Sequence, residues 1–362
     1  MKNKISLMCV AAIWLCVTAA AWFGQSRDVS DAERRKLARF PNLSAETVAS
    51  GKFMSEFEAY SQDQFPLRDT FRQLKALFHY NVLRQKDNNG IYFVNGYACE
   101  LGDPVNEWSV NHATELFGKI YKNRIEPGGS KVYLALVPDK GYFLGNAGGY
   151  PSLDYDALFD AIRSGMPWAE YVDLTDSLVV TDYYRTDTHW RQEKILPAAA
   201  KLCEAMGVSL ITDYREQKLE KPFYGVYYGQ SALPLKPEEM YVLTSDLLEG
   251  CTVSNYETGK TSAVYDMEKL GSRDLYDVYL SGATALLTVE NPSAKTEREL
   301  VVFRDSFGSS MIPLIMTDYS KVTIVDLRYI RSDMLPSVLE FHGQDVLLLY
   351  SSLVLNNSAS LK

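Results

Sequence analysis

Leu300-Val301-Val302-Phe303-Arg304-Asp305-Ser306-Phe307-Gly308 is the stretch on which the fold turns. Four apolar residues in a row read as a strand buried on both faces, and Gly308 opens an apolar helical pattern running to residue 317. A strand that feeds a helix through so short a turn is half of a crossover unit, which needs a parallel partner. Ser306 sits in that turn. From there a side chain projects from the carboxyl edge of the sheet, where open α/β folds bind their ligands. The following helix N-terminus is electropositive, so Ser306 is a candidate nucleophile whose own N–H can help hold an oxyanion. An ordinary N-capping serine would look the same in sequence.

Outward from this turn, strand patterns occupy residues 322–327 and 345–350, with a helix expected over 333–341 between them. Upstream, the run 132–137 closed by Pro138 reads as another buried strand, flanked by helices over 106–124 and 153–164 and a short strand over 171–174. A helix over 191–206 contains Pro197, which should kink it or start part of it. Residues 224–295 are irregular and rich in tyrosine, with strands near 241–243 and 285–289. Strands alternating with helices predict a mainly parallel sheet covered on both faces. Ahead of it, one helix is expected over 44–62, capped by Ser44, and a second from Pro66. Leu67, Phe71, Leu74, Phe78 and Val82 recur at three or four residues and share one face of that second helix. Asn88-Asn89-Gly90 ends it, and residues 91–99 read as a hairpin turning at Asn95-Gly96.

Residues 5–23 form an uncharged run of 19. As a helix it would span about 28 Å, close to a bilayer core. Lys2 and Lys4 favour a cytoplasmic N-terminus with the rest outside, although Arg34, Arg35, Lys36 and Arg39 compete. Ala19-Ala20-Ala21 leaves a cleavable signal open, while Trp22 and Phe23 extend the run and favour a retained anchor. The organisation read from sequence is therefore residues 1–25 as anchor or signal, 26–90 as spacer and helical lead-in, and 91–362 as one α/β domain. A net charge of -9 argues against a nucleic-acid surface. Cys9 and Cys16 lie in the apolar run, leaving Cys99, Cys203 and Cys251, an odd number with no identifiable pair.

Four histidines are present, and His79, His112 and His342 fall in helical patterns or at a helix end. His189 stands apart in Arg185-Thr186-Asp187-Thr188-His189-Trp190. Asp187 is two residues away, near enough to bond one ring nitrogen, fix the tautomer and stabilise the imidazolium as the other nitrogen takes a proton. Capping of the helix near Arg191 is the other reading of this pair. Asp182, Asp187 and His189 make a poor zinc set, so no metal site is expected.

The combination of Thr186-Asp187-Thr188-His189-Trp190 with the later Asp305-Ser306-Phe307 resembles the alginate O-acetyltransferase group of AlgX/AlgJ-type proteins. The wider pattern is similar to the DHHW protein family of Gram-positive bacteria. Glu33-Arg34-Arg35-Lys36-Leu37-Ala38-Arg39-Phe40-Pro41, Asp63-Gln64-Phe65-Pro66-Leu67-Arg68 and Asp326-Leu327-Arg328-Tyr329 carry it across nearly the whole chain after the apolar run. The resemblance implies an SGNH-hydrolase-like three-layer α/β/α sandwich with permuted motif order, the Asp-His pair preceding the Ser. It implies Ser306 as nucleophile, His189 as general base and acid, and Asp187 as its orienter. This chain has Thr188 where the family name has a histidine, and Arg304 where the SGNH nucleophile block usually has Gly. That Arg304 would either crowd an acyl group or contact an anionic glycan. Gly282 is a candidate oxyanion donor, Arg328 a candidate cleft residue, and Tyr227 a candidate sugar-stacking residue.

The expected function is a membrane-anchored, extracytoplasmic acyl-ester enzyme, an O-acetyltransferase or acetylesterase acting on a cell-envelope or exported polysaccharide. No cofactor is expected. The partners would be the polysaccharide, the membrane and a membrane protein delivering acetyl groups. The alternative is a non-catalytic envelope protein binding glycan or an assembly partner on the same fold.

Overall fold

The computed structural model describes residues 2–102, 104–210 and 212–362. Two compact units form: Met1–Ile91 with Val226–Lys236, and Tyr92–Gly225 with Pro237–Lys362. The side chains of Lys2, Trp22 and Phe23, used in reading the apolar run, lie outside the described residues.

The first unit begins with α1 (Lys2–Phe23), the one helix among the described residues long and apolar enough to cross a membrane. The expected helix over 44–62 is two, α2 (Ala45–Ala49) and α3 (Lys52–Asp63), because Gly51 takes φ +76° between them. Ser44 caps α2 as expected, accepting from the Thr47 N–H at 3.1 Å. Helix α4 (Arg68–Asn81) follows Pro66. Two of the sequence segments quoted above meet here. Arg35 clasps Asp63 through both carboxylate oxygens (2.8 and 2.5 Å), and Arg68 bonds Glu33.

The second unit begins at Tyr92, within the hairpin of β1 (Ile91–Val94) and β2 (Tyr97–Glu100), which turns at Asn95-Gly96. There follow α5 (Glu107–Ile120), β3 (Val132–Val137), α6 (Lys140–Gly148), α7 (Tyr155–Gly165), β4 (Glu170–Val172) and α8 (Leu196–Met206). The remainder contributes β5 (Thr252–Asn255), β6 (Thr261–Ser262), β7 (Leu286–Glu290), β8 (Glu299–Arg304), α9 (Gly308–Ile315), β9 (Lys321–Val325), β10 (Asp345–Ser351) and α10 (Ser352–Asn356). The eight strands lie in the order β6-β5-β7-β9-β8-β10-β3-β4. From β9 to β4 every pairing is parallel, and β7, β5 and β6 extend the sheet antiparallel.

Alternation along the strands divides the core. Tyr133, Ala135, Val137, Leu300 and Val302 face one hydrophobic cluster with α8 and α9. Val132, Leu134, Leu136, Val301 and Phe303 face another with α5 and α7. The result is a three-layer α/β/α sandwich with a large, mostly parallel sheet.

Three departures from the sequence reading have local causes. Residues 333–341 are not an α-helix but hold the tight turn Ser332–Ser337, where Pro336 removes a backbone donor. Residues 191–206 split, with the single turn Gln192–Lys194 leading into α8, whose first turn holds Pro197. Helix α6 escapes the sequence pattern because Gly141, Gly145 and Gly148 weaken its propensity.

Candidate active site

Three strand ends of the parallel sheet lie side by side at its carboxyl edge: β8 leading to Ser306, β10 to Ser351 and Ser352, and β3 to Asp139. The turn after β8 is built by Asp305. Its carboxylate accepts from the Phe307 N–H (3.0 Å) and, across to the neighbouring strand, from the Ser351 N–H (2.7 Å). Asp305 is thereby enclosed, while Ser306 is pushed outward. Of residues 300–319, Ser306 alone keeps partial exposure; the other residues are buried. Among the described residues its N–H donates to no protein acceptor, so that donor is available beside Oγ.

The Asp-His segment arrives from the loop after β4. Tyr183 and Trp190 pair as an antiparallel bridge, and the Tyr184 N–H donates to the His189 carbonyl at 3.1 Å, closing residues 184–189 into a tight loop. The Trp190 indole N–H donates to Ser310 Oγ at 2.8 Å, tying this loop to α9. Gln192 strengthens the tie, with its amide donating to the Ser310 carbonyl at 2.8 Å and accepting from the Leu243 N–H at 2.9 Å. Glu238 braces the far side by accepting from the N–H groups of Arg185 and Thr186, both at 2.8 Å. The Lys140 ammonium donates to the carbonyls of Tyr184 (2.8 Å) and Arg185 (3.2 Å).

These braces bring together three residues that are far apart in sequence. His189 Nε2 is 2.7 Å from Ser306 Oγ, and His189 Nδ1 is 2.6 Å from Asp187 Oδ1. Asp187 Oδ1 also accepts from the His189 N–H at 3.0 Å, so the carboxylate is aimed by the turn that carries it. Asp187 is fully enclosed, and His189 is 6% exposed. Tyr276 lies flat against the imidazole, with ring centroids 3.9 Å apart and planes 11° apart, and its hydroxyl is held by Ser310 at 2.7 Å. That stacking restricts ring rotation and leaves Nε2 directed at Ser306. An aspartate–imidazole–hydroxyl chain at these distances can remove the serine proton as the oxygen attacks and return it to a leaving group.

The supporting residues named from sequence fare differently. Gly282 ends a left-handed run with Leu280 (φ 52°) and Ser281 (φ 58°), and its N–H donates to the Tyr279 carbonyl at 3.1 Å. It is therefore not an oxyanion donor; the amide is already engaged. Its carbonyl instead accepts from Arg304 at 2.9 Å. Arg304 neither crowds the acyl side nor contacts a glycan, because its side chain is fully buried and runs beneath Gly308 at the start of α9. There it also lies 3.7 Å from Asp326. Tyr227 sits in the first unit on the short helix Val226–Ser231, and at 4% exposed it offers no ring face to a sugar. Arg328 does line a cleft, of about 710 Å³, together with Asp139, Tyr155, Asn356 and Ser360, while Asp326 holds it at 2.9 and 2.7 Å.

Sequence reading missed Tyr276, Glu238 and Lys140. Lys140 follows β3 directly and was placed to be found at the sheet edge; Tyr276 and Glu238 fall in the stretch without periodicity and gave no signal. Among the described residues no group of three or more His, Cys, Asp or Glu is arranged to hold a metal ion.

Comparison with known proteins agrees with this architecture. No curated protein sequence matches the chain. A DHHW family protein from Eubacterium siraeum has a similar structure at 19% identity and TM-score 0.58, covering 76% of this chain and 95% of that one. PatB1 of Bacillus cereus, solved with a sulfonyl adduct, is similar at 16% identity and TM-score 0.59, over 73% of this chain and 97% of its own. The O-acetyltransferase domain of Pseudomonas putida AlgJ gives a TM-score of 0.45 at 15% identity, over 74% and 92%. The family model of the DHHW protein matches residues 175–325, which hold Asp187, His189 and Ser306, and the chain thus carries the DHHW resemblance in its motifs and its fold alike.

Proposed function

We propose that this chain is a serine-dependent acyl-ester enzyme, a carbohydrate O-acetyltransferase or acetylesterase, anchored by α1 and working outside the membrane on a cell-envelope or exported polysaccharide. The observation that carries the reading is the Asp187–His189–Ser306 hydrogen-bond chain ending at the one partly exposed residue of segment 300–319. His189 Nε2 takes the Ser306 proton as Oγ attacks the acetyl carbonyl carbon. The donor alcohol then leaves with that proton, giving an acetyl-serine. A sugar hydroxyl, or water, gives its proton to His189, attacks the same carbonyl, and releases the acetylated product and free Ser306. The Ser306 N–H, which donates to no described acceptor, is the proposed donor to the oxyanion. The cleft lined by Arg328 and Asp139 opens at the carboxyl edge of the same sheet, is walled by none of Asp187, His189 and Ser306, and is the proposed seat for the part of the glycan remote from the reacting hydroxyl.

The sulfonyl adduct solved on PatB1 suggests a direct probe. The full chain is treated with a sulfonyl fluoride, and separately with an activated acetyl ester, and the adduct is located by mass spectrometry. Ser306 is expected to carry both groups, with Ser306→Ala unlabelled and Asp187→Asn slowed about 10²–10⁴-fold. Ester turnover that survives Ser306→Ala would overturn the mechanism. A non-catalytic reading loses the support that Arg304 lent it, since that side chain is enclosed away from the serine's open side.

A further inference from the structure

The apolar face expected on the second lead-in helix exists, and among the described residues it is largely uncovered, with Phe65 set edge-on against Phe71 at one end. Leu67, Phe71, Leu74, Phe78 and Val82 are each at least half exposed, from 50% at Phe78 to 73% at Leu67. The opposite side of α4 is the one that packs. There Ala76 is fully buried, and Arg68 and Arg72 reach Glu33. The stripe is therefore not a core face displaced outward. A contiguous uncovered run of this kind marks a binding surface.

Two observations identify what covers it. The outer half of α1 and the lead-in helices share one cleft of about 1010 Å³, whose walls include Trp14 and Val17 of α1 and Phe57, Tyr60, Phe71 and Lys75. With the N-terminus inside, Trp14 to Ala21 lie in the half of the bilayer nearer the outer surface, so Phe71, which walls the same cleft, brings its end of the stripe to that level. The second observation is charge. Residues 26–91 carry eleven Lys and Arg against nine Asp and Glu, net positive in a chain of net -9, and Lys75 on α4 and Arg84 and Lys86 just past its end are exposed.

We propose that the apolar stripe of α4 lies in the interfacial layer of a phospholipid bilayer, parallel to its surface, with Lys75, Arg84 and Lys86 toward anionic headgroups. The inference rests on the reading of α1 as a membrane anchor. The stripe from Leu67 to Val82 is about 22 Å long, suited to lying in the plane rather than crossing it. Such a seat holds the lead-in unit to the membrane along a line instead of at the single point that α1 supplies.

The test uses the full chain carrying Cys9→Ser and Cys16→Ser, reconstituted in phosphatidylethanolamine–phosphatidylglycerol vesicles. Single nitroxide labels are placed through Leu74→Cys, Phe78→Cys, Ile13→Cys and, on an exposed loop of the second unit, Thr258→Cys. Collision with oxygen, which partitions into lipid, is compared with collision with a water-soluble nickel chelate. Leu74 and Phe78 are expected to match Ile13, with oxygen collisions several-fold above nickel, while Thr258 shows the reverse. If both match Thr258 while Ile13 stays in lipid, the proposal is wrong and the anchor stands. Shielding of both sites from both reagents would also overturn it, in favour of a second copy or another protein on the stripe. A water-exposed Ile13 would instead remove the anchor reading, and this inference with it.

Discussion

The Lys140 ammonium is enclosed at the carboxyl end of β3, where it bonds the two carbonyls that lead into Asp187 and His189. Burial pushes its pKa down to about 8, with Cys99, Asp187, Glu238 and Asp139 opposing that loss of charge. A folded-state value below the unfolded one means the unfolded chain binds the extra proton between about pH 8 and the ordinary lysine range. Stability should therefore rise with pH through this interval, by about 1 kcal/mol between pH 7 and 9. Buried Cys99 works in the opposite direction above pH 9, since its thiol is raised to about 11. The measurement is thus differential: thermal unfolding of wild type and Lys140→Met across pH 7–9, where the variant should lose the rise. Equal slopes would show that the lysine is not titrating there. At this scale the meeting of Asp187, His189 and Ser306 was legible in sequence, because Asp187 and His189 share one short loop and Ser306 follows a strand end. Arg304, Gly282 and Tyr227 were not, because residue type carries no information on whether a side chain turns outward or under the next helix.

At the scale of elements, the buried strands were read almost to the residue, since runs such as 132–137 have no polar alternative. The helices were less secure wherever glycine or proline interrupted them, as at Gly51, at Pro336 and through α6. The short segments before α2 were recognised as similar to known proteins without a physical reason for their residues. The structure supplies one: Asp63, the last residue of α3, pairs with Arg35 and accepts from the Ala38 N–H at 2.8 Å. The Arg35 guanidinium, helped by that N–H, holds the Asp63 carboxyl below its ordinary range against the pull of burial. A depressed carboxylate stabilises the fold above its unfolded pKa and ceases to do so as pH falls through the folded value. Asp63→Asn should remove this tie at neutral pH, at a cost of about 1–3 kcal/mol. Hydrogen exchange over residues 27–39 should accelerate in the variant while β3 and β8 stay protected. Unchanged exchange at Ala38 would mean that the carboxylate does not hold the segment.

At the scale of the whole molecule, charge separates what composition averages. Residues 92–362 hold 24 Lys and Arg against 37 Asp and Glu, whereas residues 1–91 contain more basic than acidic side chains. Orientation of α1 is a contest between Lys2 and Lys4 on one side and Arg34, Arg35, Lys36 and Arg39 on the other. Counting alone favours the four. In the folded unit, however, Arg35 is committed to Asp63, and Asp28 lies 2.9 Å from Arg39. The long polar chain that follows is of a kind that translocates largely regardless of flanking charge. The expected topology therefore keeps the N-terminus inside and the second unit outside. Protease added to intact protoplasts should destroy a C-terminal tag and spare an N-terminal one that stays with the membrane through alkaline extraction. Protection of the C-terminal tag would reverse the orientation and place the serine where cytosolic acyl donors reach it directly. Loss of the N-terminal tag on export would instead make residues 1–25 a cleaved signal, leaving the α4 stripe without a neighbouring anchor and the chain free of the bilayer.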